Sequence, residues 1–151
     1  MNKKLERKRI NRFVYRGFGF PVVLRMNVPL VKVRGAWTLD LNLNELSLRV
    51  LELLALGHAR LTGKQVKFIR HALSMTLEQF GSRFGVSHPA VIKWERAADK
   101  PTAMTWAVEK DIRLEVLHSL SGVKATKFVE AYSALSEEPA AKAEKVELAI
   151  G

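Results

Sequence analysis

Gly85-Val86-Ser87-His88-Pro89-Ala90-Val91-Ile92-Lys93-Trp94-Glu95-Arg96 is the stretch on which the reading of this chain turns. Gly85 tolerates positive φ and can end a preceding helix. Ser87 is a good N-cap, because its hydroxyl can accept from a free first-turn amide. Pro89 fits the first turn, where amides have no intrahelical partner to lose. Val91 and Trp94 lie three apart and share a face. The spacing predicts a helix anchored by a narrow apolar stripe, with His88, Lys93 and Arg96 pointing elsewhere.

The residues before it complete a pattern. Counted from Leu77, Phe80 is fourth, Gly81 fifth, Phe84 eighth, Gly85 ninth, Val86 tenth, Val91 fifteenth and Trp94 eighteenth. This is the spacing of a helix-turn-helix. Two short helices that cross steeply need a residue with almost no side chain at their contact, and Gly81 supplies it. The turn between them needs a residue that accepts positive φ, and Gly85 supplies that. The N-terminal residues of the second helix are then free to enter a DNA major groove.

Outward from this motif the chain divides into four regions. Residues 1–11 read as a basic flexible arm. Residues 12–41 read as a small β-rich domain, with FVY, FPVVLRM, VPLVKVR and WTLDL as three or four short strands. Gly17, Gly19, Pro21, Asn27-Val28-Pro29 and Gly35-Ala36 punctuate them. Residues 42–120 read as helices. Asn42 or Asn44 caps one running to about Leu56, where Gly57 stops it. Thr62 to Gln65 and Thr76 to Gln79 are capping-box patterns, the second opening a short helix to about Phe84. Lys100-Pro101-Thr102 opens a long helix to about Leu120, with Met104, Val108, Ile112, Val116 and Leu120 on one stripe. Residues 121–151 read as a C-terminal helix, carrying Phe128, Tyr132 and Leu135, and a tail. The fold class is therefore α+β: a small N-terminal antiparallel β region, then an all-α helix-turn-helix domain and a C-terminal helix.

Composition narrows the function. The 151 residues carry a net charge of +10 and no cysteine. Disulfides, thiolate metal sites and cysteine nucleophiles are thereby excluded. No run approaches the roughly 20 apolar residues of a membrane span, and the chain reads as cytoplasmic. Residues 1–36 hold ten Lys/Arg against one acid. Such an arm suits polyanions: nucleic acid, an anionic membrane surface or an acidic protein. The bland alternative is a solubilising tail.

Candidate DNA-binding residues follow from the motif. Lys93 can donate to guanine O6 and N7, or is a solvated surface lysine. Ser87 and His88 begin the second helix and can reach base edges or phosphate, Ser87 being equally readable as a pure cap. Pro89 and Ala90 can touch thymine methyls. Thr76 and Gln79 open the first motif helix, whose amides can face phosphate. Arg96 and Lys100 flank the following loop and suit phosphate. Glu95 fits the satisfaction of local backbone or a cation better than base reading. No catalytic constellation appears. Ser87-His88 lack a partnered acid, and Gly17-Phe18-Gly19 is too short for a phosphate loop.

Residues 62–101 resemble the lambda-repressor-like helix-turn-helix domain of phage repressors and bacterial Xre-class regulators, through Gly85-Val86-Ser87, Val91 and Trp94-Glu95. Over about residues 13–100, YRGFGFPVVLRMNVPLVKVRGAWTLDLNLNEL and LTGKQVKFIRHALSMTLEQFGSRFGVS resemble the YgiT/MqsA group of antitoxins. In that group a zinc-binding domain precedes an Xre-type domain. Here Val33-Arg34-Gly35-Ala36-Trp37 stands where the group has cysteines. Structural zinc needs four good ligands, so no metal or other cofactor is expected. Apolar packing by Trp37, Val31 and Leu39 is expected in its place. The resemblance implies an antitoxin-like autoregulatory repressor that binds double-stranded DNA as a homodimer, with a cognate toxin as a possible partner. Two half-sites about 34 Å apart would be read, and the arm would add salt-sensitive phosphate contacts. The competing readings are a toxin-masking interaction protein and a phage or mobile-element repressor without toxin.

Overall fold

The structure, a computed structural model, describes residues 4–57, 59–120 and 145–151, together with Glu130 and Ser133. Strands β1 (Arg7–Tyr15), β2 (Val22–Val33) and β3 (Ala36–Leu39) precede helices α1 (Leu43–Leu56), α2 (Gly63–Ala72), α3 (Leu77–Arg83), α4 (His88–Glu95) and α5 (Trp106–Ser119). Strand β4 (Val146–Ala149) ends the chain. The fold is mixed α+β, in two compact units. One comprises residues 1–47 and 145–151, the other residues 48–144.

In the sheet unit β2 is central. It pairs antiparallel with β1 along one side. On its other side β3 takes Leu30 to Val33 and β4 takes Val22 to Arg25, the latter in parallel. Phe20, Val22, Val23, Leu24, Val28, Leu30, Val31 and Leu148 are buried. Two sequence expectations change here. FPVVLRM and VPLVKVR form one strand, because Met26 and Asn27, at φ 64 and 55, make a bulge rather than a turn. Ile10 still pairs with Val28 and Arg12 with Arg25, so Asn11 faces both bulged residues. The second change concerns the basic arm, since Arg7 to Asn11 are part of β1. The backbone of Arg7 to Ile10 finds partners along Val28 to Val31, and pairing fixes residues that composition alone reads as mobile.

The tail yields a third change, because Val146 to Ala149 form a strand. Arg12 and Arg25 stand directly opposite each other, which is unfavourable for like charges. The returning strand brings Glu147 Oε1 to 2.6 Å from Arg25 Nε. The helix expected around Phe128, Tyr132 and Leu135 lies outside the described residues.

The helices begin where local chemistry says. Asn42 Oδ1 accepts from the amides of Asn44 and Glu45, capping α1. Thr62 and Gln65 form a reciprocal capping box at α2, and Thr76 and Gln79 form one at α3. Helix α5 starts later than expected. Pro101 bridges to Thr62, and the Thr102 amide donates to the Leu61 carbonyl at 3.0 Å. The chain therefore stays extended until Thr105 caps α5. The helical core holds Val50, Leu54, Leu61, Val66, Ile69, Phe80, Phe84, Val91, Trp94, Ile112, Val116 and Leu117. No described helix is long and apolar enough to cross a membrane.

Candidate nucleic-acid interface

Helix α4 is held by its apolar face and exposes the other. Val91 is fully buried and Trp94 nearly so. Pro89, Lys93 and Arg96 lie at i, i+4 and i+7, on the opposite side, and all three are exposed. The Ser87 hydroxyl accepts from the Ala90 amide at 3.3 Å, which gives it the capping role. Its residue remains exposed at the helix start, beside His88. Ala90 is half-buried. The side chains of Lys93, Arg96 and Lys100 make no hydrogen bond or ion pair among the described residues.

Helix α3 packs against α4 across a tight turn. Gly85 takes φ +71 there, and a Cβ on Gly81 would sit 2.7 Å from the Val86 carbonyl oxygen. Gly85 thus serves the turn as its spacing suggests, while the close approach at Gly81 is to the turn and the cap of α4 rather than to the body of that helix. Thr76 and Gln79 are exposed at the start of α3, with Thr76 Oγ1 and Gln79 Oε1 engaged in the capping box. What Gln79 keeps for a ligand is its amide nitrogen. His88 Nδ1 lies 3.8 Å from Glu78 Oε1, linking the two helix starts when the imidazole is protonated.

The mounting of α4 uses a residue the sequence did not single out. Arg70 of α2 donates through Nε to Glu95 Oε2 at 2.8 Å and through Nη2 to Oε1 at 3.0 Å. Its Nη1 donates to the Met75 carbonyl at 3.1 Å. Both partners are about nine-tenths buried, so this fork-to-carboxylate pair is little screened. Glu95 therefore serves a cation, and that cation ties α2 to the end of α4 and to the loop before α3. The signal the sequence does carry is the place of Arg70 four residues after Val66, on the same helix face. Alanine at either Arg70 or Glu95 is expected to destabilise the helical unit by about 3–5 kcal/mol, because the survivor is left buried and unpaired. A double-mutant cycle in urea checks this, and additive losses would show that the pair does not act as a unit.

A second ionic tie braces α3. Arg83 bonds Glu115 Oε2 at 2.8 Å and Asp111 Oδ2 at 3.1 Å, both on α5. Hydrogen bonds to Glu115 and then Asp111 raise its pKa further above the ordinary arginine value. Arg83 is thus neutralised locally, unlike Lys93 and Arg96. Lys64 pairs with Asp99 at 3.1 Å across the base of the loop that carries Lys100.

The donor set of the described residues does not fit structural zinc. The chain has no cysteine, and the described residues hold no group of three His, Asp or Glu placed to share an ion. The chain matches no protein-family model, no curated protein and no solved structure.

Proposed function

We propose that this protein is a sequence-specific DNA-binding repressor of the helix-turn-helix type, a binding protein and not an enzyme. It acts in the cytoplasm as a homodimer on a pseudo-palindromic operator near its own gene, as an antitoxin-like autoregulator. The observation that carries the reading is helix α4. Its inner face is fixed by Val91, Trp94 and the Glu95–Arg70 pair, while Pro89, Lys93 and Arg96 form an exposed, uncommitted stripe. A helix offered to a groove needs rigid mounting and free donors, and α4 has both. Phosphate contacts from Arg96, Lys100 and the starts of α3 and α4 would set its register, and Lys93 would read a base edge.

Fluorescence anisotropy tests this with DNA from upstream of the gene and a scrambled duplex of equal length. Wild type is expected to prefer its own upstream DNA. Lys93→Ala is expected to lose about 1–3 kcal/mol of that preference. Equal binding of both duplexes by wild type sinks the proposal.

A further inference from the structure

The sheet unit carries most of the molecule's charge. It has eleven Lys/Arg against four acids, a net +7 of the total +10. Six of those cations lie within thirteen residues along β1 and its flanks: Lys4, Arg7, Lys8, Arg9, Arg12 and Arg16. All six are exposed. β1 is the edge of the sheet, and its outer side pairs with no strand among the described residues.

Structure gives this charge an order that a mobile tail lacks. Arg7 and Arg9 share one sheet face, and Lys8 lies on the other. Arg7 Nε sits 3.4 Å from Asp40, and Arg9 Nη1 donates to the Asn27 carbonyl at 2.9 Å. Both guanidinium groups are thus oriented while keeping donors to spare. A surface cleft of about 280 Å³ runs beside them, lined by Arg7, Lys8, Arg9, Pro29, Leu30 and Asp40. On the opposite face Lys8 Nζ stands 4.3 Å, and Lys32 Nζ 5.8 Å, from the centre of the Trp37 ring. The indole is occupied in holding two ammonium groups. What the sheet presents is charge at fixed positions, not an open ring for stacking bases. Lys4, Arg12 and Arg16 have no side-chain partner among the described residues.

We propose that β1 and its flanks form a second nucleic-acid contact, which grips the phosphodiester backbone without reading sequence. Four of the six cations are arginines, whose planar fork pairs bidentately with phosphate. Edge charge that served only to block strand addition would need one or two residues, not a cation on both faces and at both ends. The contact does not rest on α4 being a reader.

Its test uses the full chain and scrambled-sequence probes: duplex DNA, single-stranded DNA and duplex RNA of one length. The triple variant Lys4→Gln, Arg12→Gln, Arg16→Gln removes the cations with least structural duty, so the sheet is expected to stay folded by circular dichroism. On duplex DNA the slope of log affinity against log salt is expected to become shallower by about two to three, near 0.9 per lost phosphate contact. The variant Lys4→Arg, Arg12→Lys, Arg16→Lys should restore it. Loss on any of the three probes supports the contact, and the strongest names the preferred nucleic acid. An unchanged slope on all three overturns it. So does a requirement for these residues only on phosphatidylserine vesicles. Lys93→Ala, by contrast, should alter preference between DNA sequences and leave most of the slope, so either reading can fail alone.

Discussion

Glu109→Ala is expected to lower the stability of the helical unit by about 3–5 kcal/mol. Glu109 is fully buried and accepts four hydrogen bonds. They come from Arg60 Nε and the Leu61 amide at 3.0 Å each, and from Arg113 Nη2 at 3.0 Å and Nε at 3.3 Å. Arg113 is also fully buried. It donates onward to the carbonyls of Leu54, at 3.1 Å, Gly57, at 2.7 Å, and Ala59. Those are carbonyls of the end of α1 and the segment beyond, which the helix itself cannot satisfy. Arg60 reaches the Met104 carbonyl in the same way. One carboxylate thus holds two guanidinium groups that splice the α1–α2 connection to α5. Without it, two buried guanidinium groups lose the carboxylate they share. Glu109→Gln offers no rescue, because its amide nitrogen turns a donor toward a guanidinium. Urea unfolding followed by tryptophan fluorescence measures the loss. A change within the usual surface range of about 0.5 kcal/mol would refute the account.

Gly63→Ala is expected to be the most damaging small substitution in the helical unit. A Cβ there would lie 2.5 Å from the Trp94 carbonyl oxygen, 2.6 Å from the Ala98 nitrogen and 2.7 Å from the Glu95 carbonyl oxygen. All three are backbone atoms, so no rotamer change relieves the clash. The start of α2 and the end of α4 must separate. That endangers the bonds from the Gly63 amide to the Lys100 carbonyl at 3.2 Å and from the Lys64 amide to the Ala98 carbonyl at 3.0 Å. The loss should reach the upper part of the overpacking range, about 3 kcal/mol. Because α4 is displaced, the proposed DNA binding should weaken even under conditions where the protein remains folded. Gly85→Ala is the informative contrast. Its φ is +71, but no atom lies within 4 Å of the added Cβ, so only the backbone term of about 1–2 kcal/mol applies. Thermal melts of the two variants side by side test the difference. Equal losses would mean that close approach at Gly63 is not the controlling feature.

Gly63 also marks a boundary of what sequence can say. Gly81 and Gly85 are readable because their partners lie within a few residues, inside one recurring motif. The need for glycine at Gly63 is set by Trp94, Glu95 and Ala98, some thirty residues on, and local spacing carries no trace of it. The same division separates Glu95, readable as serving local backbone or a cation rather than a base, from Arg70, which turns out to be that cation.

The sequence by itself determined the local elements. Local sequence narrows the α1 cap to Asn42 or Asn44, and both capping boxes, the span of α3 and the apolar stripe of α4 depend on contacts three or four residues apart. The same holds for the exposed side of α4, since a helix fixed by Val91 and Trp94 must turn Lys93 and Arg96 outward. Tertiary structure decided what depends on partners far along the chain. Met26 and Asn27 form a bulge within β2 because β1 pairs with the strand on both sides of it. Arg7 to Ile10 are ordered because Val28 to Val31 pair with them. The last residues form a strand because β2 has an open edge beside Arg25, and Glu147 meets that arginine there. Helix α5 waits for Thr105 because Leu61 and Thr62 hold Pro101 and Thr102 extended. In each case local preference was weak or mixed, and hydrogen bonds or charge from a distant segment outweighed it.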